Sequence, residues 1–106
     1  MAAEPPVSTA SPSLDEVFVR SERMVGRRIA DEYVLVPIAG RGADVDGIYN
    51  LNRLGAFIWE RLDGRNDGAA IVEAIVARFD VDAECAARDY RDFVARLRSV
   101  RAITPA

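Results

Sequence analysis

The chain has 106 residues, half of them apolar and 29% charged, which suffices for one small core. Its net charge of −3 opposes binding to polyanions and anionic membranes, and the absence of Lys and His removes a Schiff-base lysine, the usual general base and the usual metal ligand. A single cysteine, Cys85, excludes an intramolecular disulfide, and neither a secretion signal nor an apolar run of about 18 residues is present.

Residues 1–19 read as a disordered tail, with Pro5, Pro6 and Pro12 set among Ser, Thr and Ala, and residues 20–104 as the folded domain. Within the tail, Val17, Phe18 and Val19 offer a short edge segment. Residues 24–29 predict a strand weakened by Gly26, and Asp31 and Glu32 a polar turn. Residues 33–38, β-branched and aromatic, carry the strongest strand signal, with Pro37 at an edge or strand end. Residues 39–46 read as a hairpin loop. Residues 47–51 return as a third strand, Ile48 and Asn50 on one face, Tyr49 and Leu51 on the other.

Three helices follow. Asn52 caps a helix over 53–62 that carries Leu54, Phe57, Ile58 and Leu62 on one face, and Asp63-Gly64 stops it. Asp67 caps a helix over 68–79 with the stripe Ile71, Val72, Ile75, Val76 and Phe79. Asp82 caps a third that runs to about Arg101, with Ile103 closing the domain and Pro105 ending it. Three short antiparallel strands followed by three helices predict an α+β fold resembling a winged helix-turn-helix, the sheet stacked on the helices.

On the third helix, Ala86, Tyr90, Phe93, Leu97 and Val100 form the expected core arc. Glu84, Arg88, Asp92 and Arg96 form a solvated row of alternating sign. The remaining flank, Ala87, Arg91, Val94, Arg98 and Arg101, is a methyl-lined strip edged by arginines, one wall of a candidate peptide groove.

Other motifs carry no chemistry. Gly40-Arg41-Gly42 is too short for a phosphate loop, and Asp44 and Asp46 lack the later ligands of a calcium loop. Cys85 has no His to activate it, and Trp59 reads as a core aromatic. The third helix region holds five Arg against four acids, too small a surplus to neutralise a DNA backbone, so a winged-helix DNA-binding regulator is the alternative reading rather than the first.

The run Ile48-Tyr49-Asn50-Leu51-Asn52-Arg53-Leu54-Gly55-Ala56-Phe57-Ile58-Trp59-Glu60-Arg61-Leu62-Asp63-Gly64 resembles the PqqD family, whose pattern is a strand ending in Leu-Asn, then Ile-Trp and a Leu-Asp-Gly helix end. The similarity continues through Ile71-Val72 and Phe79-Asp80 to Asp89, Phe93 and Leu97. It departs at Asp67 and Ala70, where the family often has a Thr-x-x-Glu capping box.

The resemblance implies a recognition element for ribosomally made precursor peptides. Such a protein binds the leader as an extra strand beside the third helix and delivers it to a modifying enzyme, often a radical SAM protein, in pyrroloquinoline quinone synthesis or a related pathway. The expected site is the backbone of Gly47, Ile48, Tyr49, Asn50 and Leu51 with Ala87, Arg91, Val94 and Arg98, the arginines favouring an acidic leader. The expectation is a cytoplasmic, non-catalytic protein, monomer or weak dimer, with no cofactor, metal, nucleic acid or membrane among its partners.

Overall fold

Three carboxylate or amide side chains start three helices, and the computed structural model, which describes residues 14–37 and 49–106, shows each at work. Asn52 accepts from the Gly55 N–H at 2.7 Å and opens α1 (Arg53–Arg61). Asp67 accepts from Ala70 at 2.9 Å ahead of α2 (Gly68–Phe79), and Asp82 from Cys85 at 2.8 Å ahead of α3 (Ala83–Ser99). Each bond satisfies one of the N–H groups that a helix start leaves unpaired.

The strands form two antiparallel sheets of three. In the first, β1 (Val17–Arg20) lies between β5 (Asp63–Asp67) and β6 (Ile103–Pro105). In the second, β2 (Met24–Ile29), β3 (Glu32–Pro37) and β4 (Tyr49–Leu51) follow one another as a meander. The architecture is therefore mixed α/β, with the meander preceding the helices as expected and a second sheet added to it. The loop expected at 39–46 and the start of the strand expected at 47–51 lie outside the described residues.

The tail ends earlier than expected. Phe18 is fully buried, Leu14 packs on the core, and the Leu14 carbonyl accepts from the Ala69 N–H at 3.1 Å. Residues 14–19 thus belong to the fold rather than to a tail. Residues 63–67 were expected only to end a helix, yet Asp63-Gly64-Arg65-Asn66-Asp67 is a strand because β1 pairs with it, Val17 opposite Asp67 and Val19 opposite Asp63. Gly64 takes the left-handed conformation anticipated for it (φ 84°), but inside β5, while Leu62 caps α1. From β1, Arg20 donates to the Trp59 and Glu60 carbonyls at 2.9 and 3.0 Å and so closes the end of α1.

One core joins the elements: Phe18, Leu35, Ile58, Leu62, Ile71, Ile75, Tyr90 and Val94 all lie below 2% exposure. On α3 the buried stripe is Ala86, Tyr90, Val94 and Leu97, whereas Phe93 and Val100 are only half-buried. The helix is rotated about 40° from the expected arc, at 100° per residue. Val94 is thereby a core residue, not part of a free flank. Among the described residues, no helix is long and apolar enough to cross a membrane.

Two outcomes follow from this packing. Val94→Asp places a carboxylate at a fully buried position, and it should lower unfolding free energy by roughly 3 kcal/mol or more in urea denaturation. Tyr90 is fully buried, its hydroxyl has no partner among the described residues, and burial first, then the Asp67 and Glu16 charges, push its pKa up to about 12. The unfolded chain releases this proton near pH 10 and the folded chain only near 12. Stability should therefore fall as pH rises through that window, and the fall should be shallower in Tyr90→Phe, measured by urea titration at each pH.

Candidate functional site

Among the described residues β4 has one neighbour. Its residues pair with β3, Leu51 opposite Tyr33, Asn50 opposite Val34 and Tyr49 opposite Leu35, and among the described residues no strand pairs with its other edge. That edge carries backbone donors and acceptors of the kind another chain can extend. Three residues suffice to hold it in place because Asn52, directly after β4, is the α1 cap.

Beside the open edge runs a trough between β4 and α3. It comprises a cavity of about 450 Å³ reaching Leu54, Gly55 and Ile58 of α1, and a smaller one of about 190 Å³ reaching Leu35, Leu97 and Val100. Asn50, Leu51, Phe93 and Arg96 line both, so the two are continuous. The half-buried Phe93 is common to both cavities, and Asp89 and Asp92 line the larger one together with Leu54 and Ile58. The floor is set by Gly55, where an added Cβ would meet Asn52 Oδ1 at 3.2 Å, the Phe93 ring at 3.3 Å and Leu51 Cβ at 3.4 Å. α1, β4 and α3 meet there closely enough that a side chain would require its neighbours to shift by a few tenths of an ångström.

Of the expected site residues, Tyr49, Asn50 and Leu51 line this trough, and Gly47 and Ile48 lie outside the described residues. Ala87, Arg91, Val94 and Arg98 line neither cavity. The rotation that buries Val94 turns this strip away from β4: the Arg98 guanidinium lies 5.3 Å from the Phe18 ring and reaches Glu16 at 4.0 Å, on the side of β1. Asp92 and Arg96, read as a solvated row, instead edge the trough. Phe93, expected in the core arc, packs against the core but stays half-buried, and Val94, one position on, is the fully buried residue.

A second cavity of about 310 Å³ opens on the other side of α1, lined by Arg28, Arg53, Arg61 and Arg78 with Tyr33 and Phe57, and by the acids Asp31 and Glu60. Leu51 and Asn52 belong to its lining as well as to that of the trough. The Arg61 guanidinium lies 3.6 Å from the Phe57 ring centroid and donates to the Phe57 carbonyl at 3.2 Å. Arg28 lies 5.5 Å from the Tyr33 ring, whose hydroxyl pKa is raised by burial and then by the Glu60 charge.

The sequence model of the family described as Coenzyme PQQ synthesis protein D (PqqD) matches residues 32–103. No curated protein sequence matches the chain significantly. The chain is similar in structure to TbiB1, solved in complex with the TbiA(beta) leader peptide, at a TM-score of 0.66 and 29% identity, over 80% of this chain and 93% of that one.

The trough's geometry depends on the missing side chain at its floor. Gly55→Val should push Phe93 outward and disturb the Asn52 cap, costing about 1–3 kcal/mol in a thermal or urea unfolding measurement.

Proposed function

The chain belongs to the PqqD family, and from that premise we propose that it is a peptide-binding adaptor. It captures the leader of a ribosomally made precursor peptide as a strand added to β4 and presents it to a modifying enzyme of the radical SAM type. The observation that carries this reading is the open edge of β4 with a trough running beside it. The likeness to TbiB1, a protein solved with a leader peptide bound, supports it.

The energetics require both parts of the site. A three-residue strand addition forms about three backbone hydrogen bonds at ~0.5–1.5 kcal/mol each. Ordering the same three residues costs ~1–2 kcal/mol apiece. Backbone pairing alone leaves no net affinity, so side chains of the leader must be buried, each contributing ~1.5–3 kcal/mol. The half-buried Leu51, Phe93 and Val100 are the apolar surface that receives them. The arginine strip Arg91 and Arg98 takes no part in this version of the site, because Arg98 already packs over Phe18.

The adaptor is non-catalytic and cytoplasmic, in pyrroloquinoline quinone synthesis or a related peptide-modification pathway, and a monomer whose open edge permits at most weak self-pairing. A meander followed by three helices supports a winged-helix-like reading of the fold. No observation favours the DNA-binding alternative, since Asp89 and Asp92 stand beside Arg96 on the exposed side of α3.

Phe93→Ala should weaken binding of a fluorescently labelled precursor leader at least about tenfold, with the far-ultraviolet circular dichroism spectrum retained. Arg91→Glu should leave that titration unchanged. Equal affinity of the Phe93→Ala variant and the parent would remove the trough from the site.

A further inference from the structure

The trough itself does not favour an acidic peptide, because Asp89 and Asp92 outnumber Arg96 along it. Cationic charge gathers instead in the neighbouring cavity, where Arg28, Arg53, Arg61 and Arg78 face only Asp31 and Glu60. This local surplus stands out in a chain of net charge −3. Among the described residues none of the four arginines is ion-paired; Arg28, Arg61 and Arg78 lie near aromatic rings, at 5.5, 3.6 and 5.9 Å from their centroids. Stacking on a ring occupies the face of a guanidinium and leaves its N–H edge for carboxylates. A cluster of arginines so held has given up part of its side-chain freedom before any ligand arrives.

Leu51 and Asn52 line both the trough and this cavity, so the arginine cluster adjoins the end of β4, where a chain lying along the strand would leave it. We propose that the cavity formed by Arg28, Arg53, Arg61 and Arg78 binds an acidic segment of the same peptide that adds to β4, flanking the strand-forming residues on the side that leaves past Asn52. This rests on the strand-addition reading and deepens it. The peptide is recognised by apolar side chains in the trough and by two or more Asp or Glu residues next to them in sequence. Linked in one chain, the second contact forms at high effective concentration and multiplies the affinity of the first. An acidic flank is also the element that the adaptor's own negative charge would otherwise repel, so the cavity sets which end of the peptide lies where.

Two probes test it on the full chain. A peptide of six glutamates is titrated into the isotope-labelled protein at low salt. Amide shifts are expected at Arg53, Phe57, Arg61 and Arg78, and should be lost in the Arg53→Gln, Arg78→Gln double variant. Absence of shifts there overturns the proposal.

The TbiA(beta) leader peptide is then compared with versions carrying four glutamates at its first or its last residue. One of the two extended versions should bind about tenfold more tightly than the parent peptide, the sum expected of two or three exposed ion pairs. The gain should vanish in the double variant while binding of the unextended peptide is unchanged. If the unextended peptide binds and neither extension adds affinity, the proposal is overturned, with strand addition left standing. If the unextended peptide itself fails to bind while the six-glutamate shifts persist, the strand-addition reading fails, and the flanking-segment proposal fails with it.

Discussion

The burial of Val94 governs the rest of the molecule's working surface. A helix packed on a core has one rotational setting, fixed by the stripe it buries. In α3 that stripe is Ala86, Tyr90, Val94 and Leu97. With Val94 sealed in the cluster that also holds Phe18, Ile75 and Ile103, Phe93 must turn toward β4 and Arg98 toward β1. The same rotation brings Asp89, Asp92 and Arg96 to the rim of the trough. The shape of the trough is thus a by-product of core packing.

The molecule separates tasks that a single groove would set in conflict. An edge strand left open is a hazard, because any extended chain can add to it. Here Asn50 is polar and the charged Asp92 and Arg96 line the trough beside the edge, which limits self-pairing. The arginines stand apart on the far side of α1, where their charge does not disturb the pairing edge. α1 is the wall between the two, and Asn52 fixes where that wall begins.

Much of this was legible in the residues. The caps Asn52, Asp67 and Asp82, the start of each helix and the strands around Val25 and Val34 follow from local chemistry, and the structure agrees with them. The run from Tyr49 through Trp59 also placed the strand that carries the open edge. What local reasoning missed depends on distant partners. β5 is built from Asp, Gly, Arg and Asn, a composition of turns, and is a strand only because β1 lies alongside. Phe18 sits within four strand residues, too few to show a period, and is buried by elements far along the chain. The setting of α3 failed for a related reason. Its apolar residues cover more than one face because it packs on two surfaces, and nothing within the helix says which face meets the core.

The position of β1 has a consequence for how the protein comes to exist. Its two partners are contributed by the middle and the far end of the chain, Val19 meeting Asp63 and Arg20 meeting Ile103. During synthesis the β2–β4 meander and α1 can assemble from contiguous sequence. The sheet around Phe18 stays incomplete until the segment after α3 has emerged from the ribosome. Until then β1 has β5 on one side and an open edge on the other. The sheet around Phe18 is thus closed by a segment that follows α3, whereas the meander that carries the open edge of β4 takes none of its strands from there.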